Sequence, residues 1–112
     1  IYPINMVMND RAQKIIEDFK VPCLSEYDAD LGVAWGIPIK INTKKTKNGK
    51  WFHTIDMIDT NSVVTRLRCW GVKPDRDMIY LNKPYVIKHP NYNETWGFST
   101  YGAIDKKWMM IG

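Results

Sequence analysis

Cysteine is scarce in this chain of 112 residues, which has only Cys23 and Cys69. Two thiols cannot form the disulfide framework of a small secreted domain, and neither stands in a Cys-x-x-Cys pair, so a reducing, intracellular setting is the simplest expectation. Histidine is equally scarce. His53 and His89 combined with the two cysteines lack the short paired intervals of zinc modules, so neither a metal nor another cofactor is expected. No apolar run approaches the roughly 20 residues that span a bilayer, and no charged-then-apolar leader opens the chain, which points to a soluble domain with no membrane partner. Also missing are the Gly-x-x-x-x-Gly-Lys loop, the Gly-x-Ser-x-Gly elbow and the His-Glu-x-x-His helix. Folding could still bring an acid and a base together, for instance His89 with Glu94. The expectation is that this domain is not an enzyme by itself.

What the chain does have is a concentrated positive field. Residues 1 to 30 carry three basic residues against six acidic ones, whereas residues 31 to 72 carry seven against two. Five of those seven lie in Lys40 to Lys50, KINTKKTKNGK, a Gly-tipped turn between two apolar alternating runs. Trp51-Phe52 leads the next run, and the one after it reads SVVTRLRCW, so cations and aromatics alternate with core residues. Lysines with stackable rings on one sheet suit a polyanion that exposes its bases. With 45% hydrophobic and 25% charged residues, the chain has enough apolar material for one core and is not disordered by composition. Because it opens on Ile1, an excised piece of a longer polypeptide is expected.

Hydrophobic spacing gives an early helix and then strands. Asn9 or Asp10 caps a helix with Ala12, Ile15, Ile16 and Phe19 on one side, and Pro22 stops it. The acidic stretch Ser25 to Asp30 reads as a connector, dividing residues 1–30, helix and linker, from a main domain over 31–112. Thereafter the period is two. The first strand is expected from Leu31 to Thr43, with Val33, Trp35, Ile37, Ile39 and Ile41 on one face and a bend or bulge near Gly36 and Pro38. The second runs from Trp51 to Ile58 with His53, Ile55 and Met57 inward, and Trp51 joins the core if the hairpin twists inward. Asp59 forms the following turn. The third, Ser62 to Trp70, places Val63, Thr65, Leu67 and Cys69 inward and Arg66, Arg68 and Trp70 outward. Pro84 to Lys88 is the fourth strand, His89 to Glu94 a polar loop, and Thr95 to Tyr101 the fifth strand, on which Trp96 and Phe98 share a face. Trp108 to Ile111 is an apolar tail packed outside the barrel.

Five short, curved strands in about 70 residues match the dimensions of an OB-fold, a partly open Greek-key barrel that binds oligonucleotides on strands 2 and 3 and on the loops joining strands 1 to 2 and 4 to 5. The expected fold is therefore mainly β, a five-stranded OB-fold-like Greek-key barrel with a short N-terminal helix. An SH3-like barrel has a similar strand count.

The run Val33 to Trp70 also resembles a known family. Thr46-Lys47-Asn48-Gly49-Lys50, a hydrophobic strand ending in Asp59, and a strand opened by Ser62 are similar to the OB domain of the alpha subunit of bacterial DNA polymerase III, a C-family replicative polymerase. The family usually has Gly where this chain reads Asp59-Thr60-Asn61, and mostly aliphatic residues at Arg66, Arg68 and Trp70. Those departures point to a divergent member, of the kind a bacteriophage would carry. The resemblance implies a noncatalytic module that holds single-stranded template within a larger replication polypeptide. The anticodon-binding OB domains of aminoacyl-tRNA synthetases are the alternative relatives, and they would imply RNA.

The expected ligand is thus single-stranded nucleic acid, DNA in preference to RNA, with other domains of a larger protein as further partners. The expected contacts are Lys44, Lys45, Lys47, Lys50, Arg66 and Arg68 to phosphates, with Phe52, Trp70 and the Tyr92 loop against the bases. The lysines could equally keep a hairpin soluble, and Phe52 and Trp70 could be covered by the helix or the Trp108 tail. A protein-interaction surface anchored on exposed tryptophans is the third possibility.

Overall fold

The structure, a computed structural model, describes residues 9–112. The spacing of Ala12, Ile15 and Ile16 becomes helix α1 (Asp10–Phe19). Asn9 caps it, its Oδ1 accepting the Ala12 N–H at 2.8 Å and so satisfying one of the donors that a helix start leaves open. At the far end Lys20 adopts a left-handed conformation with φ 52°, and the Val21 N–H returns to the Ile16 carbonyl at 3.0 Å. Ala12 is buried and Ile15 and Ile16 pack against the sheet, whereas Phe19 is 76% exposed and lies outside that contact. One 3₁₀ turn (Leu24–Glu26) follows. It is tied to the sheet by the Trp35 N–H to the Pro22 carbonyl and the Ser25 N–H to the Asp59 carboxylate.

Among the described residues seven strands make one sheet: β1 (Val33–Lys45), β2 (Trp51–Ile58), β3 (Val64–Trp70), β4 (Tyr85–Lys88), β5 (Asn91–Asn93), β6 (Gly97–Tyr101) and β7 (Trp108–Met110). A short helix, α2 (Ile104–Lys107), precedes β7. The spatial order is β5-β6-β3-β2-β1-β4-β7, and among these described strands only the β3–β6 pair is parallel. Within it, β4-β1-β2-β3 is the Greek-key order. Strand β1 pairs with β4 through Val33 to Gly36 and with β2 through Ile37 to Lys45, so the sheet curls around its long first strand into a half-barrel. The expectation of five strands is corrected to seven among the described residues. The polar segment expected as a loop supplies β5, which pairs along the outer edge of β6. The tail expected outside the barrel supplies β7, which pairs with β4 and buries Trp108.

A one-residue bulge in β1 decides which side chains face where. Pro38 stands opposite Met57 and Lys40 opposite Asp56, leaving Ile39 as the extra residue. Before the bulge, Trp35 and Ile37 pack outward against α1 in a cluster with Val21, Ile58, Val86 and Ile111. Ala34, on the alternate parity, faces the interior cluster of Ile55, Met57, Leu67, Cys69, Ile87 and Trp108. After it, Ile41 packs inward. The expected single face from Val33 to Ile41 is therefore split, because an inserted residue reverses the side-chain alternation. Gly36 sits where an added Cβ would come within 3.2 Å of both Leu24 Cδ1 and Met57 Cε, so the bend is closed over by side chains that need its missing one. Strand β3 starts two residues later than expected, and Val63, assigned inward, is 43% exposed in the turn. That turn is built on Asp59, buried and accepting the N–H groups of Asn61, Val63 and Ser25.

The long connection from β3 to β4 is anchored by polar groups. Asp77 is buried and accepts the backbone N–H groups of Lys73 at 2.7 Å and Ile104 at 3.2 Å, together with the Arg76 guanidinium at 2.7 Å. Buried His53 on β2 reaches the Asp77 carbonyl through Nε2 at 2.7 Å, and since a carbonyl only accepts, Nε2 carries the proton. Its Nδ1 lies 2.9 Å from the Thr43 hydroxyl. Burial pushes the Asp77 carboxyl up, but Arg76 and the two backbone donors outweigh it and hold it below its ordinary value. A carboxyl depressed in the folded state stabilises the fold above its unfolded pKa, near 3.9, and that contribution is lost as pH falls through the folded value. Asp77→Asn is expected to cost about 2–4 kcal/mol in urea unfolding at pH 7, because an amide cannot accept all these donors. The gap from the parent chain should narrow in acid, below about pH 4; a substitution without cost at pH 7 contradicts the anchoring role.

Candidate functional site

Strand register brings the outward residues of β1, β2, β3, β6 and β5 into rows. Lys44 stands opposite Phe52, Phe52 opposite Trp70, and Trp70 opposite Tyr101. The next row is Asn42, Thr54, Arg68, Ser99 and Asn91. The third is Lys40, Asp56 and Arg66. An aromatic row thus lies beside a polar row whose one charge is Arg68, and a charged row lies beyond it. Phe52 stacks on Trp70 with ring centroids 4.6 Å apart and planes 25° from parallel. Such a pair stiffens both rings and leaves a broad apolar surface half in solvent.

The β5–β6 hairpin raises a wall along this surface. Asn93 Oδ1 accepts the N–H groups of Thr95 and Trp96, and Gly97 closes the turn with φ +77°, a conformation that side chains disfavour. Trp96 is thereby turned outward, 67% exposed, while Phe98 turns inward against Tyr27. The expected shared face of Trp96 and Phe98 is corrected by that left-handed glycine, which interrupts the alternation. Arg68 donates from Nη1 to the Trp96 carbonyl at 2.7 Å and lies 5.9 Å from the Trp96 ring centroid. Between wall and sheet runs a cleft of about 750 Å³, lined by Phe52, Trp70 and Tyr101 on one side and by Trp96, Tyr92 and Asn91 on the other.

The structure separates the residues that the sequence pattern grouped. Lys44, Phe52, Arg68 and Trp70 share the outer face. Lys47 and Lys50 are exposed in the turn, where the Thr46 N–H meets the Lys50 carbonyl and Gly49 takes φ +81°. Lys45 belongs to the opposite face, paired with Trp51, its Nζ 5.5 Å from that ring. Trp51 itself is 38% exposed and outside both core clusters. Arg66 is engaged by Asp56, Nε to Oδ1 at 2.9 Å, and that bond holds its guanidinium above its ordinary value. Tyr92, expected in a loop, stands on β5 with its ring 5.0 Å from Phe98, and it reaches the cleft at its rim.

Tyr101, Ser99 and Asn91 were not singled out from the sequence. Alternation along β6 puts Ser99 and Tyr101 on one face, but only the parallel pairing with β3 places that face beside Arg68 and Trp70. Both cysteines are buried, and burial pushes the Cys69 thiol up to about 12 and also raises that of Cys23, away from the thiolate form. Among the described residues, no three His, Cys, Asp or Glu side chains gather as a metal site, and no helix is long and apolar enough to cross a membrane.

No protein-family model matches this chain, and no curated protein matches it.

The Phe52–Trp70 stack makes a stability prediction that needs no ligand. In a double-mutant cycle of Phe52→Ala and Trp70→Ala, urea unfolding should give a coupling of about 0.5–1.5 kcal/mol. Additive losses would mean that the rings touch without supporting each other.

Proposed function

We propose that the outer face of β2, β3 and β6 binds single-stranded nucleic acid, with DNA as the preferred ligand, and that the domain is a noncatalytic OB-like module of a replication protein. The observation that carries the reading is the row Lys44, Phe52, Trp70 and Tyr101, in which a cation and three rings line up across four strands beside an open cleft. A strand laid along it would set phosphates against Lys44, Lys47 and Lys50 and bases against the rings. Every base has a π-face, so the aromatic row supplies affinity for any sequence. The Greek-key order of β1 to β4 is what an OB barrel requires, and the β2–β3 ribbon with the β1–β2 turn is where such barrels hold oligonucleotides. The role within a C-family polymerase rests on the resemblance of the Thr46 to Lys50 turn, Asp59 and Ser62. Arg66 contributes less than its sequence position suggests, because Asp56 already offsets its charge.

A second reading has its own observation. Met78, Tyr80 and Met110 are 61%, 58% and 46% exposed around a shallow groove that also touches Trp108, away from the aromatic row. Other domains of a larger polypeptide would pack on such a surface.

Titration with oligothymidylate, followed by tryptophan fluorescence, tests the main reading. With three lysines on phosphates, affinity should fall about tenfold to twentyfold between about 50 and 200 mM salt. Single strands should bind more tightly than duplex. Trp70→Ala should lose about 1–3 kcal/mol of binding. Absence of binding at low salt would leave the protein-contact reading.

A further inference from the structure

We infer that the cleft between the aromatic row and the β5–β6 hairpin reads one base of the bound strand and prefers guanine. This rests on the single-strand reading above. Continuous stacking would need only rings, yet the cleft sets fixed polar groups among its rings. Arg68 is held from two sides, by the Trp96 carbonyl at 2.7 Å and by the Trp96 ring at 5.9 Å, and lines the same cleft as Trp70, so its guanidinium is pre-organised there with donors to spare. Asn93 also lines the cleft. Its Oδ1 is committed to the Thr95 and Trp96 N–H groups at 2.8 and 3.2 Å, which leaves its NH₂ as the group available to a ligand.

The site is therefore rich in donors. No Asp or Glu lines it, so no charged acceptor is present for the exocyclic amine of cytosine or adenine. Ser99 and Asn91 can either donate or accept and do not alter that balance. Among the bases, guanine presents two adjacent acceptors, O6 and N7, which match the guanidinium fork, whereas adenine pairs one acceptor with a donor. The rings of Trp70 and Tyr101 supply the stacking surface for a purine. A volume of about 750 Å³ is ample for one base with its sugar.

The test is a series of oligothymidylates, each with one central position changed to guanine, adenine, cytosine or 7-deazaguanine, titrated against the full chain and against Arg68→Lys. A single guanine is used so that no guanine-rich structure forms. The guanine oligomer should bind about tenfold or more tighter than the adenine and cytosine oligomers. 7-Deazaguanine, which lacks the N7 acceptor, should lose most of that gain. Arg68→Lys keeps the charge but not the fork, and should bring the guanine, adenine and cytosine oligomers to within about twofold of one another. If all oligomers bind the parent chain equally, base reading is overturned while single-strand binding stands. If the guanine preference survives both 7-deazaguanine and Arg68→Lys, the preference does not come from Arg68 and the assignment of the cleft is wrong. If no oligomer binds at low salt, the single-strand reading fails and this inference fails with it.

Discussion

The bulge at Ile39 is the constraint on which the rest of the molecule depends. Strand β1 has to serve two cores, one against helix α1 and one inside the curl, and then deliver a cationic end to solvent. A regular strand could not do this, because its alternation would carry the inward parity of Ala34 and Pro38 on to Asn42 and Lys44. One extra residue reverses the parity, so Ile41 enters the interior and Lys40, Asn42 and Lys44 join the outer face of Phe52 and Trp70. The same inserted residue sends Lys45 to the other face, over Trp51. Fold and charge placement are thus settled together, at a bend that Gly36 and Pro38 make accessible.

Much of this was legible in the sequence, and the failures share a cause. Strand β2 lies where its alternation puts it, Trp51 to Ile58, and His53, Ile55 and Met57 are buried as expected. Leu67 and Cys69 face inward, and Arg68 and Trp70 outward. A period of two is a strong signal when one face is dry and the other wet. Strands β5 and β7 were missed because they are three residues long and exist only through pairing with an edge already present. Asn91-Tyr-Asn93 carries no alternation to read. Likewise, the split of the lysines and the pairing of Arg66 with Asp56 depend on cross-strand register, which a single sequence states only weakly.

Polar anchors do for the connections what hydrophobic contacts do for the strands. Asp59 organises the β2–β3 turn through three backbone donors, Asp77 holds the β3–β4 connection and the start of α2, and His53 links that connection to the β1–β2 hairpin through Thr43. Each sits at the inner side of the sheet or at its end, so the structural contacts on the outer face of β2, β3 and β6 are the Phe52–Trp70 stack, the Arg66–Asp56 pair and the Arg68–Trp96 contact. The row of rings, half in solvent, lies outside both buried clusters, so the cores of the fold are built without it. That separation of roles is the physical reason to connect the face with binding.

The most direct test is an amide chemical-shift map of the isotope-labelled chain with a short oligothymidylate at low salt. The account predicts perturbations concentrated at Lys44, Phe52, Arg68, Trp70, Ser99 and Tyr101 and in the turn from Thr46 to Lys50, with α1 and β7 unmoved. Shifts centred instead on Met78 to Leu81 and β7, or no shifts on the outer face, would contradict it.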